Sequence, residues 1–144
     1  MEAGGSGLVS TADDYMRFCR MMLGGGTLDG VQILNPKSIA LFSLNHPPDG
    51  KEFTAVAPQG PFGDGYAGFG FSIGCAVAID VAKTRQPGTL GEFHWGGAAG
   101  AAFWIDPKEN LAVVFMTQTM GTERFPLRRG LSTLIYSAMT ESCA

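Results

Sequence analysis

The residue types that could carry chemistry gather late in this chain. Phe93-His94-Trp95-Gly96-Gly97-Ala98-Ala99-Gly100 sets an imidazole and an indole beside paired glycines, and an apolar stretch ending Trp104-Ile105-Asp106-Pro107 follows at once. Consecutive glycines weaken a strand. They are kept where a ligand or another backbone must come close, or where a bulge or tight helix packing requires them, and both readings stand for Gly96 and Gly97. A period of two sets Trp95 and Gly97 on one strand face and His94 and Gly96 on the other. If the first face borders a cleft, Trp95 is its aromatic wall and the glycines leave room for an acyl group. His94 could act as a general base only beside a nucleophile and an orienting acid, and neither is assignable, so a structural histidine is the expected role.

Other candidates are weaker. Ser6 lies among glycines, but a nucleophile elbow needs G-x-S-x-G between a strand and a helix, and position 8 is Leu. A self-sufficient Ser6 and His94 site is therefore the least favoured reading. Gly63-Asp64-Gly65-Tyr66-Ala67-Gly68 matches G-x-G-x-x-G in letters, yet it has a loop before it and a strand after it, the reverse of the dinucleotide fingerprint. Cys19, Cys75 and Cys143 are widely spaced with no C-x-x-C pair, which predicts neither a disulfide framework nor a zinc site and points to a reducing, cytoplasmic setting. With only His46 and His94 and no H-E-x-x-H spacing, neither metal nor cofactor is expected.

The elements that must position these residues come from a chain of 144 residues, 45% hydrophobic and 16% charged, enough for one domain with its own core. A net charge of -3 leaves no basic surface for nucleic acid, and no apolar run approaches the ~18 residues of a membrane span. Glycine numbers 21, about twice its usual ~7% share, and is clustered, which implies tight loops. Ser10, with Asp13 three residues on, predicts a helix cap before Tyr15, Phe18, Cys19 and Met22; Gly24-Gly25-Gly26 stops that helix. A turn at Asp29-Gly30 follows, then Asn35-Pro36 restarts a helix that runs to about Leu44. Residues 45 to 65 read as a long irregular loop.

Beyond the loop, strands are expected from Phe69 to Ile79, Leu90 to Trp95, Ala101 to Ile105 and Leu111 to Thr117, with a turn region from Asp80 to Gly88. Asp106-Pro107-Lys108-Glu109-Asn110 is good hairpin-loop chemistry. From Pro126 to Met139 helical spacing returns, with Leu127, Leu131, Leu134, Ile135 and Ala138 on the face expected to cover the sheet and Arg128 and Arg129 off it. The class is α+β: two short helices and a long loop over residues 1 to 65, then an antiparallel sheet and a covering C-terminal helix over residues 66 to 144.

Four segments, in this order, resemble class C β-lactamase-related carboxylesterases and their penicillin-binding relatives. Gly4-Gly5-Ser6-Gly7-Leu8-Val9-Ser10-Thr11-Ala12-Asp13-Asp14 resembles their Gly-Gly-x-Gly-Leu-x-Ser-Thr-x-x-Asp stretch, and residues 24 to 36 resemble the loop and helix after it. Tyr66-Ala67-Gly68-Phe69-Gly70-Phe71 is similar to the Tyr-Gly-x-Gly-Phe strand start. His94-Trp95-Gly96-Gly97 with Trp104-Ile105-Asp106-Pro107 resembles the third motif and its hairpin. The resemblance implies a partial β-lactamase/transpeptidase-like fold, an oxyanion-binding backbone N–H at Ala98, and substrate contacts from Trp95, Gly96 and Gly97. Trp95 stands where β-lactamases carry Lys, so the β-lactam carboxylate loses its cation and small ester or amide substrates are implied.

No Ser here is followed three positions later by Lys, and no Tyr begins Tyr-x-Asn. In the resembled family those elements supply the nucleophile and its proton-transfer partners. The expectation is a C-terminal portion of a serine hydrolase, inactive alone, whose N-terminal portion is its missing partner. An unpaired sheet edge would then invite homo-oligomers. The competing expectation is a non-catalytic small-molecule binding or interaction module derived from the same fold.

Overall fold

The computed structural model describes residues 8–57, 64–120 and 127–144. Helix α1, Ala12–Leu23, is capped by Thr11, whose hydroxyl oxygen accepts the Asp14 N–H at 3.1 Å and donates to Asp14 Oδ2 at 2.9 Å. The cap is one residue later than expected, because Ser10-Asp13 and Thr11-Asp14 have the same spacing and spacing cannot choose between them. Gly26 N–H to Met21 C=O at 2.9 Å and Gly25 N–H to Met22 C=O at 3.2 Å close the helix in a Schellman motif. Strands β1, Thr27–Leu28, and β2, Val31–Gln32, flank a turn with positive φ at Asp29 and Gly30, as that dipeptide predicts. Asn35 caps α2, Pro36–Ala40, through the Lys37 N–H at 2.8 Å, and a 3-10 turn extends it over Leu41–Ser43.

The stretch expected as an irregular loop contains a 3-10 turn at Pro48–Gly50, helix α3 at Phe53–Val56 and a 3-10 turn at Asp64–Tyr66. Four residues are too few for a periodic signal. A tertiary contact holds α3 instead, the Phe53 ring stacking at 4.8 Å on Phe71 and standing edge-on at 5.6 Å to Tyr66. The single strand expected from Phe69 to Ile79 is a hairpin of β3, Phe69–Phe71, and β4, Ala76–Ala78. Its turn is closed by Ser72 N–H to Cys75 C=O at 2.7 Å, with positive φ at Gly74. The expected turn region holds a short helix α4, Val81–Thr84, capped by Asp80.

Strands β5, Phe93–Gly96, β6, Ala102–Asp106, and β7, Leu111–Phe115, complete an antiparallel sheet ordered β3-β4-β5-β6-β7. Asp106 Oδ1 accepts the Lys108 and Glu109 N–H groups at 3.1 and 3.3 Å, which bends the chain between β6 and β7. The register aligns Val77, Phe93, Ile105 and Ala112 on one face, where Cys19, Met21 and Met22 of α1 cover them. Ala76, His94 and Trp104 lie on the other face, beneath helix α5, Leu127–Ala138.

The inward face of α5 keeps only part of the apolar stripe expected from its spacing: Leu131 and Ile135 are half-buried there, but Arg128, expected off the face, joins it with Ser132 and Tyr136. Leu127 and Leu134 are 43% and 69% exposed, while Ser132 is buried and Tyr136 reaches the carboxylates of Glu92 and Asp106. Arg128, one helical turn before Ser132, places its guanidinium 6.0 Å over the Phe69 ring. Beneath the helix the sheet presents Glu92, His94 and Asp106, and buried polar atoms lose more by lacking partners than exposed leucines lose in water.

Gly68 joins the sheet to α4. Its φ is +80°, and a Cβ there would run into the Asp80 carbonyl and lie 2.7 Å from the Thr84 nitrogen. Gly68→Ala should therefore cost about 2–4 kcal/mol in urea unfolding. Gly25→Ala, at φ +63° with open space around it, should cost only about 1 kcal/mol, and equal costs would refute the close-approach account.

Candidate functional site

The β5–β6 hairpin builds the site from its tip. Gly100 N–H donates to Gly97 C=O at 2.9 Å and Gly97 N–H to Ala101 C=O at 2.8 Å, with φ of +84° at Gly100. This three-residue loop places Ala98 second in a four-residue turn, the position whose N–H points away from the turn's own hydrogen bond. Ala98 is exposed, and among the described residues its N–H makes no hydrogen bond. Thr119 N–H holds the far side of the loop by donating to Ala99 C=O at 3.0 Å.

The two glycines before it differ. A Cβ on Gly96 would sit 3.0 Å from the Ala101 carbonyl oxygen, so that glycine serves the hairpin itself. A Cβ on Gly97 would meet nothing within 4 Å, so packing among the described residues gives no reason for glycine there.

Trp95 is half-buried, with ring centroids at 5.5 Å from Phe71, 6.1 Å from Tyr66 and 6.3 Å from Phe53. It also borders a cleft of about 190 Å³ between the sheet and α1, walled by Tyr15, Phe18, Phe42, Phe93 and Phe103 and closed by the Ile73–Cys75 turn. The opposite face carries His94, as period two requires. Its ring is 1% exposed, edge-on to Phe69 at 4.6 Å and stacked on Tyr66 at 5.8 Å. Both ring nitrogens lack hydrogen-bond partners among the described residues. Burial first, and the Arg128 charge second, hold its pKa well below the ordinary imidazole value, so the ring is neutral.

His94 and Trp95 thus leave opposite faces of the strand yet share the Tyr66 ring, and Ser6 lies outside the described residues. The G-x-G-x-x-G letters lead through a 3-10 turn into β3, without the helix that phosphate binding needs; Gly63 lies outside the described residues. Burial pushes the Cys19 thiol up to about 11 and the Cys75 thiol up to about 12, so neither is a thiolate nucleophile near neutrality.

Sequence reading missed the polar layer under α5. Burial pushes the Glu92 carboxyl up to about 7, against the opposing pull of the Arg128 guanidinium. Two signals were present in the sequence. Glu92 and His94 alternate onto one face, and Arg128, Ser132 and Tyr136 recur at four-residue spacing on α5.

An unpartnered buried imidazole contributes little to stability. His94→Leu, close in volume, should leave unfolding free energy at pH 7 within about 1 kcal/mol of wild type. It should also remove the loss of stability that wild type suffers as pH falls below 6.5, where only the unfolded imidazole gains a proton. A loss above about 3 kcal/mol at pH 7 in urea unfolding would show that a ring nitrogen has a partner.

Three comparisons bear on this geometry. EstCE1, described as a hydrolase with promiscuous acyltransferase activity, superposes with a TM-score of 0.68 at 29% identity, over 90% of this chain and 31% of that one. Simvastatin synthase (LovD) from Aspergillus terreus superposes with a TM-score of 0.69 at 18% identity, over 89% of this chain and 33% of that one, a likeness of fold alone. Protein Rv1367c of Mycobacterium tuberculosis strain H37Rv is 41% identical over 117 residues, and the same figures hold for the uncharacterized protein MT1414 of strain CDC 1551. The match covers 79% of this chain and 28% of those relatives, so the chain spans less than a third of their length. A family model described as Beta-lactamase matches residues 1–136, and with the sheet, hairpin and covering helices in the arrangement of its structural relatives, the chain belongs to that family.

Proposed function

We propose that this chain supplies the oxyanion-binding wall of an acyl-transfer site in a β-lactamase-like serine hydrolase of the carboxylesterase type, acting on small esters or amides. One observation carries the reading. Ala98 is exposed, and among the described residues its N–H makes no hydrogen bond, at a hairpin tip held on both sides and beside a glycine that leaves open space. A fixed backbone donor aimed at developing negative charge stabilises a tetrahedral intermediate by about 3 kcal/mol, because it needs no reorganisation as the charge appears. Trp95 shapes the pocket, Gly97 gives access, Gly96 keeps the hairpin tight, and the aromatic cleft beside Trp95 suits an apolar acyl group. With Trp in place of a Lys cation, the wall favours esters over β-lactams.

Acylation needs a nucleophile with a base in reach. The chain contains neither Ser-x-x-Lys nor Tyr-x-Asn. We therefore read it as inactive by itself, with those elements supplied by a further N-terminal portion, and its three free thiols support a cytoplasmic setting. The promiscuous acyltransferase activity in the description of EstCE1 supports acyl transfer as the reaction class. A second reading, a non-catalytic small-molecule module, is favoured by the same cleft standing beside Trp95 without a nucleophile.

Fluorophosphonate treatment of the purified chain, followed by intact mass, should give no covalent adduct; a stoichiometric adduct would place a nucleophile on these residues and overturn the inactive reading. Saturable binding of a small ester without turnover in any longer form would favour the module. In a protein carrying this segment together with both missing motifs, Ala98→Pro should lower kcat by roughly 10²–10³-fold. Proline suits the second position of such a turn, so thermal unfolding should stay unchanged. Unchanged turnover would remove Ala98 from the site. Gly97→Val should likewise spare stability while impairing turnover, since its side chain meets only the space assigned to substrate.

A further inference from the structure

Tyr136 on α5 holds its hydroxyl oxygen 2.7 Å from Asp106 Oδ2 and 3.0 Å from Glu92 Oε2. A phenol has one hydrogen, so it can donate to only one of the two carboxyl groups. Asp106 already accepts through Oδ1 from the Thr89 hydroxyl at 2.6 Å and from the Lys108 and Glu109 N–H groups, which marks it as the acceptor of the pair. Glu92 has no comparable set: Arg128 Nη2 stands 3.8 Å from Oε1, and Gly88 abuts Oε2 so closely that a Cβ there would collide with it. Both acids are buried, Glu92 at 4% and Asp106 at 0% exposure. With Tyr136 donating to Asp106, a bare Glu92 carboxylate would face a phenol lone pair, offset only by the Arg128 guanidinium 3.8 Å from its other oxygen. Tyr136 and Asp106 are both satisfied when Glu92 carries a proton and donates it to Tyr136, which donates in turn to Asp106; Arg128, whose Nε has no partner among the described residues, then keeps only a neutral neighbour at 3.8 Å.

We propose that Glu92, Tyr136 and Asp106 form a proton-sharing clasp that ties the C-terminal helix to β5 and β6 and loosens when Glu92 releases its proton to solvent. The groups facing Glu92 are Asp106 from β6, Arg128 and Tyr136 from α5, and the Gly88-Thr89 loop, with His94 two residues along its own strand. Burial raises the Glu92 carboxyl to about 7, and burial with both carboxylates raises the Tyr136 phenol, which keeps its proton throughout. The sign follows from linkage. A carboxyl raised above its ordinary 4.5 contributes stability that is fully present below 4.5 and is lost as pH climbs through about 7. His94 works oppositely, since its depressed pKa removes stability as pH falls below 6.5. The two windows overlap, so the diagnostic quantity is the difference between wild type and Glu92→Gln at each pH. The clasp holds whatever chemistry the cleft performs.

Gln at position 92 keeps a donor toward Tyr136 at every pH. Urea unfolding of the full 144-residue chain from pH 5 to 8.5 should show the wild-type folding constant falling, relative to Glu92→Gln, by on the order of 10²-fold. Amide exchange of residues 127–138 should quicken over the same range in wild type beyond its intrinsic pH dependence, and not in the variant. Parallel stability curves would overturn the clasp. Should Glu92→Gln not fold, the wild-type Glu92 carboxyl carbon followed by NMR decides: a titration midpoint near 7 supports the proposal, and one below 5 overturns it.

Discussion

β5 is hydrogen-bonded to a strand on each side and covered by a helix on each face, so alternation along it must satisfy two unlike environments at once. Phe93 points into the apolar layer under α1. His94 points to the α5 side between the Phe69 and Tyr66 rings, beside the layer where Glu92, Asp106, Arg128 and Tyr136 meet. Trp95 returns to the first side at the strand's open end, where its ring reaches the cleft and the Phe53, Tyr66 and Phe71 cluster. The rest of the molecule is arranged around that division. α1 brings one thiol, methionines and aromatic rings, and α5 brings a guanidinium, a hydroxyl and a phenol.

The division also accounts for what was legible in the sequence. Local chemistry was readable wherever one residue type does one job: Asp29-Gly30 turns a hairpin, Asn35-Pro36 starts a helix, and Asp106 folds its own following backbone. The α+β order, the antiparallel sheet and the covering C-terminal helix followed from those signals and from strand alternation. Elements held by distant partners were not readable. The α3 helix depends on Phe53 meeting Phe71, and nothing near Phe53 announces it. The β3–β4 hairpin was hidden because small residues at Ser72 to Cys75 continue an apolar run while Gly74 quietly reverses the chain.

The orientation of α5 failed for a different reason. Leu131 and Ile135 face inward as a helix over an apolar surface should have them, but that surface also holds two buried acids, Glu92 and Asp106, and Tyr136 turns in to meet them while Leu127 and Leu134 stay exposed. Hydrogen-bonding demand outranked hydrophobic area, and only knowledge of the sheet's second face could have said so. The candidate site was legible in its letters, Trp95 through Ala98. It was not legible in its reason: the Ala98 amide, which has no partner among the described residues, comes from the turn closed by Gly97 and Gly100, a hydrogen-bond pattern that no composition displays.

The hairpin also constrains how this segment can vary over generations. Side chains alternate with a period of two, so losing or gaining one residue between Glu92 and Gly97 would exchange the two faces of β5. The indole would then lie beneath Arg128 and the imidazole would point into the aromatic cleft, while Glu92 would leave Tyr136 behind. A one-residue change of length would undo all of these placements at once, where a substitution touches one, so the tract from Glu92 to Gly97 should keep its length.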